Sequence, residues 1–305
     1  MKRVCVIGAG AIGSLFAGHL AAVAEVSVLT RRPEHAAALR RDGLRISGRS
    51  DRQATVAASA DPREIAPFDL GIVATKAAGL EGAVESLRGR FPQATIMTVL
   101  NGLGAERAVR SAGDWPIISG VTFMSGTRHS DTHIEYVLDT ETWIGPYEST
   151  PFAVVQEAAG LMASAGLKVE ALPDLLPAQW SKLIFNATVN AVAALTGLPH
   201  VPLFAAREQP SDLGILVHDL MDEGKAVAAA AGIELHDDPW EMNVLATQRG
   251  SAHYPSMLED VQARRRTEVE LITGALVREA DRAGVPAPLH TALYRLIKAK
   301  EESYS

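Results

Sequence analysis

Cysteine is almost missing from this chain: 305 residues carry one thiol, Cys5. That excludes a disulfide within these residues and suits a reducing compartment. Cys5 falls in a short apolar run, where it reads as a small core residue rather than a reactive thiol. No stretch of about 18 uncharged apolar residues is present, so no bilayer-spanning helix is expected. The apolar start at residues 4–7 is short, lacks a cleavage region and runs straight into glycines, which argues against a signal peptide. Internal repeats and low-complexity tracts do not stand out. Positive charge is also in deficit, with 29 Lys and Arg against 36 Asp and Glu and a net charge of −7. Such a balance argues against a general binder of nucleic acid or of anionic membranes, although a local basic pocket stays open. The expectation is a soluble cytoplasmic protein with neither nucleic acid nor membrane as partner. Its length suits two domains, or one with a large appendage.

What is present begins at residue 3. Arg3-Val-Cys-Val-Ile7 has the continuous apolar character of a strand buried in a parallel sheet. Gly8-Ala-Gly-Ala-Ile-Gly13 follows at once, and residues 14–22 read as a helix. Strand, G-x-G-x-x-G, helix is the dinucleotide-binding arrangement. Gly8 allows the tight turn, Gly10 lets the backbone approach a pyrophosphate, and Gly13 lets helix and strand pack closely. Ala11 and Ile12 lie in the same loop, and the helix N-terminus offers N–H groups to phosphates.

Residues 25–29 form a second strand that ends in Thr30-Arg31-Arg32. An NAD site usually places an acid there for the ribose 2′-hydroxyl. A guanidinium binds a 2′-phosphate instead, which points to NADPH/NADP+, with Arg31 the first candidate. A solvated arginine pair opening the next helix is the plainer alternative. Residues 44–46 and 54–57 suggest short extra strands, and residues 69–75 and 94–100 suggest buried ones. Lys76 and Asn101-Gly102 come where carboxyl ends of strands open onto a binding crevice. Short β-like segments between residues 117 and 145 are expected to complete the sheet. A helix at 151–165 and a strand at 167–170 close the domain, before a linker with two prolines, Pro173 and Pro177.

The second half is organised around residues 179–195, a helix apolar nearly all round and so expected inside the protein. Lys182, Asn186 and Asn190 interrupt it at intervals of four and so form one polar ridge. Asparagine is a poor choice inside a helix, and a buried ammonium is costly without a partner. A ridge facing a cleft explains the pattern better than a solvent stripe, which would favour longer charged residues. Further helices are expected near residues 211–231 and 239–249, then one long helix from Ser256 to about Arg282. Ser256 and Glu259 fit a capping box, so Ser256 is either a cap or a site residue. At about 100° per residue, Glu268 falls inside the apolar stripe of that helix. It is therefore either a structural ion pair, with Arg264 or Arg265, or a site residue able to keep Lys182 charged. No strand is evident after residue 171.

Taken together, these pieces resemble the ketopantoate reductase family across essentially the whole chain. They are Gly8 to Gly13, Thr75-Lys76, Asn101-Gly102-Leu-Gly104, Trp180-Ser-Lys182-x3-Asn186-x3-Asn190, and Ser256-Met-Leu-Glu-Asp260 with Arg266-Thr-Glu268. The resemblance implies an α/β fold: an N-terminal Rossmann-type dinucleotide-binding domain, residues 1–170, followed by an all-helical C-terminal domain, residues 171–305. It also implies NADPH-dependent reduction of 2-dehydropantoate to pantoate, a step of pantothenate biosynthesis. Lys182 matches the general acid and Glu268 the acid that orients the substrate and the lysine. Asn186, Asn190, Ser256 and Asn101 match substrate-contacting positions. Gly8, Gly10, Ala11, Ile12, Gly13, Arg31, Lys76 and Asn101 match the cofactor site, and no metal is implied. His200 and His253 depart from the polar amides expected near the substrate, and Pro255 from a small polar residue. A related reductase of another 2-oxo acid is therefore carried beside the leading reading. A non-catalytic NADP(H)-sensing protein would be expected to lack Lys182 or Glu268. The C-terminal helices offer surfaces for a homodimer.

Overall fold

The computed structural model describes residues 1–206, 211–248 and 254–304. The chain divides into two compact units. One comprises Met1–Leu100 with Ala105–Leu175, and the other Asn101–Gly104 with Leu176–Ser305.

The first unit opens with β1 (Arg3–Ile7), α1 (Ala11–Leu20), β2 (Glu25–Leu29) and α2 (Pro33–Asp42). Three short strands follow, β3 (Leu44–Gly48), β4 (Arg52–Ala54) and β5 (Ala57–Ser59), then β6 (Leu70–Val73), α3 (Ala77–Glu85), β7 (Thr95–Thr98) and α4 (Ala105–Ala112). The remainder is β8 (Ile117–Thr122), β9 (Ser125–Arg128), β10 (His133–Leu138), β11 (Thr142–Tyr147), α5 (Phe152–Ser164) and β12 (Val169–Ala171). The main sheet has the order β12-β11-β8-β7-β6-β1-β2-β5. All its neighbours are parallel except β8 and β11. From β1 the chain first steps outward to β2, then returns to β6 on the opposite side of β1. That reversal puts the carboxyl end of β1 at the switch point where doubly wound sheets bind ligands.

The segments between residues 117 and 145 do not all complete this sheet, as the sequence pattern suggests. β8 and β11 do, whereas β9 and β10 join β3 and β4 in a second sheet of order β4-β3-β10-β9. That small sheet packs on α1. Helix α1 therefore lies between two sheets, and residues 13–20 are buried throughout. Leu15, Phe16 and Leu20 on α1 and Ile46 on β3 are among its fully buried side chains. Cys5 lies in this core, and burial pushes its thiol up to about 12, leaving it an inert packing group.

Beyond its 101–104 segment the second unit is helical, with no strand among its described residues. Its elements are α6 (Leu176–Thr196), α7 (Asp212–Ala230), α8 (Pro239–Thr247), α9 (Ser256–Gln262), α10 (Thr273–Ala283) and α11 (Pro288–Glu302). Helix α6 touches each of the other five. This central position accounts for its apolar character on all sides: Leu183, Ile184, Ala187, Val189, Ala191 and Val192 each face a neighbour rather than water.

One sequence expectation fails here. The long helix from Ser256 to about Arg282 is two helices, α9 and α10, separated by turns at residues 263–272. Arg264 takes a left-handed backbone (φ 50°), which ends α9. The Arg265 N–H then bonds to the Asp260 carbonyl, and its guanidinium holds the buried Asp260 carboxylate at 2.9 Å. Met257, Val261, Ile272 and Ala275 are buried as the periodicity suggested, but periodicity carried no sign of the break. The capping box fails as well. Pro255 is the N-cap of α9, and Ser256 is its exposed first residue.

The glycine loop provides a test of the first unit. A Cβ on Gly13 would stand 2.0 Å from the Gly8 carbonyl oxygen, a backbone atom that cannot move aside. Gly13→Ala is therefore expected to destabilise the unit by about 2 kcal/mol or more, read as a lowered Tm. An unchanged Tm would show that the strand and helix can separate there at no cost.

Candidate functional site

In the first unit β1 ends at Ile7, and Gly8 turns the chain with φ 101°, a conformation that suits glycine. Its N–H bonds back to the Leu29 carbonyl at 2.9 Å, which ties the loop to the end of β2. Gly10 is the N-cap of α1, and Ala11 and Ile12 are its half-buried first residues. A Cβ on Gly10 would meet no protein atom within 4 Å. Packing therefore does not demand glycine at position 10; open space lies over the loop, as a cradle for a pyrophosphate requires. The residues present fit a dinucleotide.

The arginine pair after β2 is split in its duties. Arg32 bonds to the Asp131 carboxylate at 2.5 Å and lies 3.6 Å from Glu34. Arg31 beside it is exposed. Lys76 stands exposed at the entry to α3, after the carboxyl end of β6.

The second unit holds the most unusual chemistry. Lys182, Asn186 and Asn190 are 9%, 7% and 7% exposed and Glu268 is 9% exposed, so the ridge on α6 is buried. The Lys182 Nζ donates to Asn101 Oδ1 at 2.8 Å, and Asn101 Nδ2 donates to Glu268 Oε2 at 3.0 Å. One amide thus joins the ammonium to the carboxylate, and only this orientation suits both. An ammonium has protons to give, and an ionised carboxylate can only accept. Burial lowers the Lys182 pKa to about 8, while the Glu268 charge acts in the opposite direction and raises it. The result is an ammonium poised close to neutrality, as a group that must release a proton requires.

Asn101 reaches this position through a backbone contact. The Leu103 N–H bonds to the Leu271 carbonyl at 2.9 Å. Gly102 has φ 91°, and a Cβ there would stand 1.8 Å from the Leu271 oxygen. Two turns meet main chain to main chain, and the glycine of the Asn-Gly pair makes that approach feasible. Glu268 lies in the facing turn rather than on a helix. The two arginines offered as its ion-pair partners are engaged elsewhere: Arg265 with Asp260, and Arg264 with the Ser303 carbonyl at 3.2 Å.

The structure therefore brings Asn101, Lys182 and Glu268 together, with Asn186 and Asn190 following along the same face of α6. Ser256 heads α9, a helix that packs on α6. His200 is buried, its Nε2 2.8 Å from Asn243 Oδ1 and its ring edge-on to Phe204. His253 lies outside the described residues. Sequence reasoning missed the bridging role of Asn101. Its signal was the tight-turn dipeptide Asn101-Gly102, but the partner turn could not be read from spacing. Among the described residues, no group of acidic, histidine or cysteine side chains could hold a metal ion. Nor is any helix among them long and apolar enough to cross a membrane.

A doubly wound sheet with a glycine loop at its switch point, in a chain that also carries a helical unit with a buried lysine, defines a Rossmann-type oxidoreductase. Comparison with known proteins identifies the family. The model of ketopantoate reductase PanE/ApbA matches residues 4–149, and that of its C-terminal region matches residues 174–301. The chain belongs to the ketopantoate reductase family. It is 29% identical over 299 residues to the 2-dehydropantoate 2-reductase of Pyrococcus horikoshii, covering 98% of this chain and 97% of that one. It is 28% identical over 308 residues to the enzyme of that name from Vibrio cholerae, covering 99% of each. The crystal structure of a PanE/ApbA family ketopantoate reductase from Ralstonia eutropha JMP134 superposes with a TM-score of 0.88 at 27% identity, covering 99% of both chains. A D-mandelate dehydrogenase, solved with NADH and anilino(oxo)acetate, superposes with a TM-score of 0.89 at 23% identity over 99% of both. That last likeness is one of fold.

The amide bridge and the Coulombic support it accompanies can be tested directly. Glu268→Gln keeps the shape of the side chain and removes its charge, so the Lys182 ammonium loses support and should titrate below about 8. Carbon-edited NMR of the lysine side chain reads the shift. An unmoved titration would mean that the Glu268 charge does not reach Lys182.

Proposed function

We propose that this oxidoreductase reduces a 2-oxo acid with NADPH, and that its substrate is 2-dehydropantoate, reduced to pantoate. The observation that carries the reading is the buried Lys182–Asn101–Glu268 chain of hydrogen bonds. The names of the full-length relatives support the choice of substrate. Residues 1–170 serve the cofactor and residues 171–305 the substrate. With its single buried thiol and its biosynthetic relatives, the enzyme suits the cytoplasm.

When bound, the reduced nicotinamide supplies a hydride to the C2 carbonyl carbon. The Gly8–Gly13 loop and the N-terminus of α1 hold the pyrophosphate, and Arg31 binds the 2′-phosphate. Lys76 and Asn101 serve the nicotinamide end. As C2 is reduced, negative charge grows on the carbonyl oxygen. Lys182 stabilises that charge through its ammonium and then gives up one proton, which yields the 2-hydroxy acid and a neutral amine. Glu268 keeps the ammonium charged in a site that desolvates it, and Asn101 aims it. Asn186, Asn190 and Ser256 bind the carboxylate and hydroxyl oxygens of the substrate.

Four measurements test this reading. Lys182→Ala should lower kcat for 2-dehydropantoate by about a hundredfold or more, the usual size of a general-acid contribution. The acid is competent while protonated, so kcat/KM for reduction should fall as pH rises through about 8; a flat profile to pH 10 would remove Lys182 from the role. A panel of 2-oxo acids, followed by NADPH absorbance, decides the substrate, and a stronger preference for a different acid would overturn 2-dehydropantoate. Arg31→Ala should raise KM for NADPH by about tenfold, the scale of one charge-assisted hydrogen bond, and leave KM for NADH unchanged. Equal effects on both cofactors would deny Arg31 the 2′-phosphate.

A further inference from the structure

Glu268 lies in a turn between two helices, and its carboxylate must stay fixed against Asn101. Its carbonyl accepts the Leu271 and Ile272 N–H groups, each at 3.1 Å, which ties the C-terminal side of the turn; the side-chain anchors on its two flanks set where the carboxylate points. On one flank, Glu270 takes the Tyr294 hydroxyl at 3.0 Å and the Lys298 ammonium at 2.9 Å, and Arg278 donates to its carbonyl at 2.6 Å. Those groups are partly exposed, and such ties are worth little each. The other flank is different. Thr267 is buried, and its N–H and hydroxyl both donate to Glu301 Oε1, each at 2.7 Å. The same hydroxyl accepts the Val269 N–H at 3.1 Å. This local turn encloses residue 268 from both sides. The Glu301 side chain is 8% exposed and lies on α11, far along the chain from α9 and α10.

We propose that Glu301 is a positioning residue for the reduction. Its single oxygen locks the Thr267 turn, the turn aims Glu268, and Glu268 through Asn101 sets the charge and direction of Lys182. Glu301 acts at two removes and performs no proton transfer itself. The inference rests on the assignment of Lys182 and Glu268 made above.

The test compares Glu301→Ala with Glu301→Gln in the full chain. Alanine leaves the buried Thr267 N–H and hydroxyl without their acceptor, whereas glutamine keeps an oxygen at that point. Glu301→Ala should lower kcat by about tenfold to a hundredfold, the scale of a small misplacement of a reacting group. It should also shift the alkaline limb of the pH–rate profile, and the NMR titration of Lys182, to lower pH. Glu301→Gln should restore both. A role confined to stability would lower Tm and the folded fraction but leave the limb and the titration in place, and that result would overturn the inference. So would equal damage from glutamine and alanine. Should Glu301→Ala not fold, Thr267→Val, which removes only the hydroxyl at nearly constant shape, is held to the same outcomes. The NMR titration needs no turnover. If the wild type fails to reduce any 2-oxo acid, the functional reading falls, while the path from Glu301 to Lys182 is still decided.

Discussion

A charged amine buried in a helical interior is the constraint from which the rest of the second unit follows. Desolvation opposes the ammonium of Lys182, and only organised partners can keep it protonated near neutral pH. The fold supplies a carboxylate whose charge reaches the amine and an amide that bridges the two. These three side chains come from α6, from a turn after β7 and from a turn after α9. The arrangement has a cost in stability. An unfolded lysine titrates near its ordinary 10.5 and this one near about 8, a difference on the order of 3 kcal/mol at about 1.4 kcal/mol per pH unit. Below about pH 8 both states carry the proton and the penalty is present in full. Between about 8 and 10.5 the unfolded chain holds a proton that the folded chain has released, so stability rises with pH across that window.

Backbone geometry makes the convergence feasible. Gly102 lets the turn at residues 101–104 lie against the Leu271 carbonyl without a side chain between them. The left-handed Arg264 ends α9, so the following residues can turn toward Asn101 instead of continuing a helix. In the first unit Gly13 plays a comparable part, for α1 reaches β1 only because no Cβ stands between them. Sites assembled from turns need such close approaches, because turn residues lack a hydrogen-bonded ladder to fix them.

Much of the architecture was legible from residue pattern. The glycine motif after an apolar run specified β1 and α1, because strand, tight turn and helix leave a local signature. The apolar circumference of residues 179–195 marked a buried helix, and the Lys182, Asn186, Asn190 spacing marked its polar ridge. Burial of Glu268 was anticipated from its place in a helical stripe, and it holds although residue 268 lies in a turn and not on a helix. The break between α9 and α10 was not readable. Two short helices with buried apolar side chains at helical spacing imitate one long helix, and the closure of Arg265 onto Asp260 at the break is a contact and not a composition. The split of β9 and β10 into a second sheet was hidden for a similar reason: strand pairing is a long-range choice among segments of similar pattern.

By itself the sequence determined which residues are anomalous for their surroundings: a lysine and two asparagines in an apolar helix, an acid in an apolar stripe, glycines where a helix begins. Such anomalies are local, and the cost of burying charge can be judged from neighbours along the chain. Only the tertiary structure decided that Asn101 is the link between Lys182 and Glu268. It alone determined that the Glu268 turn is held by Glu301 through Thr267. Hydrogen bonds between groups 34, 81 and 167 positions apart depend on how elements pack. That packing is a property of the whole core and leaves no periodic mark on any one segment.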